Sequence, residues 1–266
     1  ILLLCLVWLL PVWPSLLVAF KTVEEYTRQA FWQFPARSNF AQNLQYAWTK
    51  ANLGGYFLNS LLYGTVGAFG SIILASLASF SITRLRPKGS NWLFALIFSG
   101  TVFPFQIYLV PLFQAYQNTN LYDTKLGMML FYIAICIPFA TFIFRAFFST
   151  IPEELLEAAR LDGYSDLQIY CRIFMPLSLP AVAVVALFQF TWVWNDLLFG
   201  LILTSSSSTR PIMVGLAQLQ GFRAGVGSNV PGLMAGAILA SLPTIILFIL
   251  LRGYFIQGLT LQTAGE

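Results

Sequence analysis

Thr150-Ile-Pro-Glu-Glu-Leu-Leu-Glu-Ala-Ala-Arg-Leu-Asp-Gly-Tyr-Ser-Asp-Leu-Gln168, running on to Ile173-Phe-Met-Pro176, is the most charged stretch of a chain in which only 9% of residues are charged. Long apolar runs flank it on both sides. Two helix starts are legible. Thr150 with Glu153, and Ser165 with Gln168, each have the spacing of a capping box, in which a hydroxyl and a carboxylate or amide satisfy the free N–H groups of a first turn. Pro152 is tolerated there because it has no N–H to orphan, and Glu153 and Glu154 meet the positive end of the helix dipole. Gly163 supplies the left-handed position that stops the first helix. The expectation is two short helices joined at an Ala-Ala-x-x-Asp-Gly corner outside the bilayer.

An amphipathic helix lying on lipid carries Lys and Arg on its polar face. From Ser149 to Arg172 this elbow has two basic residues (Arg160, Arg172) against five acidic ones (Glu153, Glu154, Glu157, Asp162, Asp166). Anionic headgroups repel it, which favours a protein partner. Leu155, Ala158, Ala159 and Asp162 fall at i, i+3, i+4 and i+7, one helix face, on which two alanines allow close backbone approach.

With 58% hydrophobic residues and a mean hydropathy of +0.75, the 266-residue chain exceeds the about 45–50% apolar content of soluble domains and reads as all-α and polytopic in a membrane. There is no histidine, so the usual general base and metal ligand are missing. No Gly-Lys pair exists for a phosphate-binding loop; the chain carries no catalytic motif and is not expected to be an enzyme. Cys5, Cys136 and Cys171 are scattered, with no disulfide or metal spacing. A net charge of +4 with no basic cluster beyond Arg84, Arg86 and Lys88 argues against nucleic acid.

Crossing the hydrocarbon core takes about 20 apolar residues. Six such spans are expected: Ile1–Phe20, Gly55–Thr83, Trp92–Tyr116, Leu126–Phe148, Pro176–Leu203 and Pro231–Phe255. The first is too long and too little like a cleavage site for a signal peptide, and a short tail is expected before Ile1. Pro104, Pro111 and Pro138 predict kinks. Small residues recur every fourth position (Ser60, Gly64, Ala68; Gly67, Ser71, Ala75, Ser79; Gly232, Gly236, Ala240), rows expected to offer surfaces to a partner. The organisation expected is residues 1–53 as first helix and external loop, 54–255 as a membrane core with five helices and the charged loop at 149–173, and 256–266 as a C-terminal tail.

The elbow side carries Arg84, Arg86, Lys88, Arg145, Arg160, Arg172 and Arg252; the opposite side carries Lys21, Arg28, Arg37, Lys50, Lys125, Arg210 and Arg223. The counts tie, and only the crowding of three basic residues into one short loop favours a cytoplasmic elbow.

Asp196 is the only acidic residue inside an expected span. Intramembrane carboxylates usually face an aqueous cavity or a partner. In a continuous helix Gln189, Trp192 and Asp196 share a face, with Phe188, Trp192, Asn195 and Phe199 adjoining. That mixture suits a sugar-type solute, with polar groups for hydroxyls and an aromatic face for C–H surface. The other reading is architectural: Asn195 and Asp196 bond neighbouring backbone and fix helix packing.

Glu157-Ala158-Ala159, Gly163, then Ile173 and Pro176 resemble the EAA loop of binding-protein-dependent ABC importer permeases, though Met175 stands where the family has Leu. Ile151–Gly163 resembles the carbohydrate-uptake branch, in particular its maltose-permease-like shorter subunit. Asn59-Ser60, Trp194-Asn195-Asp196, and Tyr254-Phe255 leading to Gly258-Leu259-Thr260 agree with that branch. The resemblance implies a type I importer permease with a cytoplasmic coupling helix, multi-pass in a prokaryotic inner membrane, carrying a sugar or related polyhydroxylated solute. It implies as partners a second related permease, two ATPase subunits that bind ATP and Mg (this chain having no cofactor of its own), an extracytoplasmic solute-binding protein and the lipid bilayer. It places Glu157, Ala158, Ala159, Asp162 and Gly163 at the ATPase contact. The competing class is an ion-coupled secondary transporter or channel half without an ATPase, which predicts more buried charges than Asp196 alone.

Overall fold

In the computed structural model, residues 2–220 and 229–263 are described, and among them every regular element is helical. In chain order these are α1 (Leu2–Leu9), α2 (Val12–Ala19), α3 (Val23–Arg28), α4 (Phe40–Gln45), α5 (Leu53–Phe80), α6 (Ser90–Ser99), α7 (Leu109–Asn118), α8 (Lys125–Thr150), α9 (Glu153–Leu161), α10 (Asp166–Ile169), α11 (Met175–Leu177), α12 (Leu179–Trp194), α13 (Leu198–Leu203), α14 (Ile212–Leu219) and α15 (Val230–Thr263). Arg223 and the surroundings of Phe255, Gly258, Leu259 and Thr260 lie outside the described residues.

Among the described residues three apolar helices are long enough to cross a membrane by length and composition: Leu53–Leu85, Lys125–Thr150 and Val230–Tyr254. A fourth pass follows if Asp166–Leu177 and Leu179–Trp194, bent by 75°, count as one. The other two expected spans are interrupted. The first breaks between α1 and α2, where Pro11 and Pro14 fall within four residues. The third is split: α6 ends at Ser99, and a non-helical stretch through Pro104 and a short 3-10 turn separate it from α7. Pro111 sits in the first turn of α7, where its missing N–H is harmless, so it produces no kink there. The fifth expected span stops at Trp194 instead of Leu203, and α15 runs past Phe255 to Thr263, so the expected tail is largely helix.

The chain divides into two compact units, Ile1–Leu61 with Trp194–Ile245, and Leu62–Val193 with Ile246–Glu266. In the first, Leu53 and Tyr56 are buried against Gly215, and a Cβ on Gly236 would stand 2.6 Å from Leu53. Asn59 Nδ2 donates to the carbonyls of Ser208 and Arg210, both at 3.0 Å, and Ser60 Oγ accepts from Ile212 N at 2.8 Å. Asn59-Ser60 therefore pins the 204–211 loop to α5. The 21–43 segment folds on itself. Lys21, fully buried, donates to Ala30 O at 2.8 Å, while Asn43 bonds the carbonyls of Ala19 and Lys21. Glu25 accepts from the backbone N–H groups of Thr22 and Ala36, which hold its carboxyl below the usual range.

The second unit packs α5, α8 and α12 around an aromatic core. Gly64 and Gly67 let α5 approach closely: added Cβ atoms would lie 2.9 Å from the Phe190 ring and 3.0 Å from Tyr132 Cβ. Ser71, Ala75 and Ser79 are likewise buried, and Ser79 Oγ donates to Thr141 O at 3.0 Å. The small-residue rows are thus used inside this chain and are not surfaces for another subunit. Close helix packing satisfies them locally, as their size permits.

Candidate functional site

The elbow lies wholly within the second unit. α8 runs through Thr150, whose hydroxyl turns back to Phe147 O at 2.7 Å; it does not cap the next helix. The expected Thr150–Glu153 capping box is therefore absent. Pro152 occupies the N-cap of α9 with no side-chain bond, and Glu153 instead pairs with Arg86 at 3.2 Å. The reason is the hydroxyl's own preceding turn, which offers an acceptor with no backbone rearrangement.

The helix stop is as expected. Gly163 has φ +82°, with Gly163 N donating to Arg160 O and Tyr164 N to Ala159 O, both at 3.0 Å. This pair of bonds is a Schellman motif, which occupies carbonyls that would otherwise be orphaned. Ser165 then caps α10: its N–H donates to Gln168 Oε1 at 2.8 Å and its Oγ accepts from Gln168 N at 3.4 Å. Arg160 and Asp166 close the corner at 3.0 Å, a half-exposed pair that contributes about 0–1 kcal/mol.

Of the four residues expected on one face of α9, Leu155, Ala158 and Asp162 are exposed and Ala159 is buried. Leu156 and Ala159 point inward, 2% and 5% exposed, into a core with Phe148, Ile169 and Phe174. Glu157, Ala158, Asp162 and Gly163 are exposed with Leu155. Ala159 therefore underpins the elbow and does not offer its side chain outward. Sequence reasoning passed over Leu161, which is 89% exposed at the tip. Its signal was available: a bulky apolar residue two positions before a helix-stopping glycine.

α12 ends at Trp194, so the continuous helix on which Gln189, Trp192 and Asp196 were expected to share a face stops before Asn195 and Asp196. Gln189 is buried and donates to Cys136 O at 3.2 Å, tying α12 to α8. Trp192 is half-buried, edge-on to Phe105 and Tyr132 with ring centroids 6.4 and 6.5 Å away. Gln189 and Trp192 line a cleft of about 260 Å³ with Phe105, Tyr108, Phe139 and Phe188, beside the interruption after α6. Asn195 is exposed in the turn beyond α12. Asp196 accepts from Gly200 N at 3.1 Å and Phe199 N at 3.4 Å, so its carboxylate serves the free donors of α13. Trp194 is buried; its indole N–H donates to Ala240 O at 2.9 Å and its ring meets Phe57 edge-on. Asp196 thus bonds neighbouring backbone, which is one half of the architectural reading of Asn195 and Asp196.

Comparison with known proteins agrees with this geometry. A family model described as "Binding-protein-dependent transport system inner membrane component" matches residues 67–261. The melibiose/raffinose/stachyose import permease protein MelC of Bacillus subtilis (strain 168) is 31% identical over 94% of this chain and 89% of its own length. The arabinooligosaccharides transport system permease protein AraQ of Halalkalibacterium halodurans is 34% identical over 82% of this chain and 77% of its own. A chain in the crystal structure of a bacterial ABC transporter involved in the import of the acidic polysaccharide alginate superimposes with a TM-score of 0.81, covering 95% of this chain and 92% of that one at 22% identity. An all-helical chain without a nucleotide-binding loop, matched over most of its length by this family, belongs to the inner-membrane components of binding-protein-dependent transport systems and is an ABC transporter permease.

Proposed function

We propose that this permease forms half of the translocation pathway for a sugar or related polyhydroxylated solute, and that an ATPase subunit grips it by the 149–173 elbow. The reading takes α1–α2, α5, α6–α7, α8, α11–α13 and α15 as six passes, with the elbow on the cytoplasmic side of the inner membrane. A second related permease supplies the other half. Two ATPase subunits bind ATP and Mg, and an extracytoplasmic binding protein delivers the solute.

One observation carries it: the elbow is closed by a helix stop and a capping box, and it leaves leucines exposed among its carboxylates. Leu155, Leu161 and Leu167 are exposed on a segment rich in acidic residues. Lipid explains exposed leucines but not the surrounding carboxylates; a protein cleft explains both. Glu157, Ala158, Asp162 and Gly163 form the contact with Leu161, and Ala159 supports them from beneath. The relatives named for oligosaccharide import support the solute class. Trp192, Phe105 and Phe188 provide aromatic faces on which a sugar ring's C–H surface stacks.

The test is uptake of a panel of labelled di- and oligosaccharides into proteoliposomes holding the whole transporter, with the binding protein outside. Uptake requiring ATP inside is the expected result. Uptake driven by an ion gradient without ATP would move the chain to the secondary-transporter class. Asp196→Asn separates the two readings of that residue. An asparagine still caps α13, so stability and solute preference should both stay near wild type, while Asp196→Ala should cost about 0.5–2 kcal/mol of stability. A changed solute preference in Asp196→Asn would put the side chain in the pathway.

A further inference from the structure

Arg84 was legible in the sequence only as one of three charges in a short basic loop. It is in fact 8% exposed, at the end of the continuous Leu53–Leu85 helical run. Its Nη2 donates to the carbonyls of both Phe148 and Ile151. Phe148 is in the last turn of α8, where its carbonyl also accepts from Ile151 N at 3.2 Å, and Ile151 immediately precedes Pro152 at the entry to the elbow. The same guanidinium lies 5.2 Å from the centre of the Phe174 ring, at the elbow's exit. One side chain in the turn that continues α5 thus touches both roots of the elbow. Phe80 reinforces the junction by packing on Phe148, Tyr170 and Phe174. Ser76 Oγ and Tyr170 Oη add a hydrogen bond of 2.7 Å.

Burying a guanidinium is costly even with the charge of Glu153 acting on it, and here Nε finds no partner among the described residues. Packing alone would be met by an apolar side chain of the same length. What arginine adds is a planar fork reaching two carbonyls while its face rests on an aromatic ring.

We propose that Arg84 is the positioning residue that locks the elbow to α5, so that displacement of the elbow is passed to the membrane helix and is not absorbed by bending at Ile151 or Phe174. The consequence for transport rests on the elbow being the ATPase contact; the lock itself does not.

The experiment uses the assembled transporter with Cys5 and Cys171 replaced by serine. Spin labels go on Glu154→Cys in α9 and Ile73→Cys in α5, and their distance distribution is recorded nucleotide-free and vanadate-trapped. With Arg84 present, one narrow distribution of equal width in both states is expected. Arg84→Met, which keeps the stem and removes the donors, should broaden it at least twofold; Arg84→Lys, which keeps donors, should fall between. A Met variant as narrow as wild type, or a Lys variant as broad as Met, overturns the proposal. Should the Met variant fail to assemble, Arg84→Lys is decisive: a width above wild type supports the lock and an equal width refutes it. In parallel, the ratio of binding-protein-stimulated to basal ATP hydrolysis should fall to about one in Arg84→Met. A merely structural loss would lower the yield of complex and leave this ratio intact. A broadened distance with an unchanged ratio would retain the lock and reject the elbow as the ATPase contact.

Discussion

Gly163→Pro should abolish ATP-driven uptake in an otherwise assembled transporter. Gly163 sits at φ +82°, which proline, fixed near −65°, cannot adopt. Its N–H donates to Arg160 O in the helix stop, and proline has no N–H to give. The corner that orients Leu161 and Asp162 therefore cannot form. Gly163→Ala is the graded companion. No atom lies within 4 Å of an added Cβ, so the only cost is the left-handed conformation, about 1–2 kcal/mol. Partial uptake is expected from alanine and background uptake from proline, measured with labelled solute in proteoliposomes. Glu157→Lys leaves the corner intact and reverses a charge on the exposed face; it should also reduce uptake to near background while the complex keeps wild-type yield of this chain. Normal uptake in the proline and lysine variants alike would remove the elbow from the transport cycle.

The second large effect is on stability. Trp194→Ala removes a side chain that is 1% exposed, edge-on to Phe57 and hydrogen-bonded to Ala240 O in α15. Emptying a buried tryptophan site costs about 3–5 kcal/mol. Thermal unfolding in detergent should show a large drop in midpoint and a lower yield of folded protein. Trp194→Phe keeps most of the packing and loses one hydrogen bond, for a loss nearer about 1 kcal/mol plus the smaller ring's contacts. If the alanine variant instead unfolded like wild type but transported a different range of sugars, the tryptophan would belong to the pathway and not to the packing.

Local chemistry explains which parts of the chain were readable. The glycine stop and the Ser165–Gln168 capping box are decided within a few residues, and both formed as written. The Thr150 box met the same sequence criterion and failed, because α8 continued far enough for the hydroxyl to bond its own preceding turn. The end of α12 at Trp194 was hidden: the apolar run continues to Leu203 without Gly or Pro before Gly200, and Asp196 reveals its capping role only once α13 exists. Of the face expected on α9, Leu155, Ala158 and Asp162 are exposed, and only Ala159 turns inward. Leu156 and Ala159 go inward, a stripe that is set by the aromatic residues beneath and not by α9 itself. Likewise, composition identifies Gly64 and Gly67 as points of close approach but does not say whose helix approaches; Phe190 and Tyr132 of this chain do. Arg84 and Lys21 look like surface charges in sequence because nothing local marks the distant carbonyls that draw them inside.

The most direct test places a photoreactive amino acid at Leu161, which is 89% exposed and contacts no buried core. Irradiation of the assembled transporter in native membranes should yield an adduct between this chain and the ATPase subunit, lost when that subunit is omitted. An adduct with lipid, or no adduct to any protein, would contradict the idea that force enters the permease here.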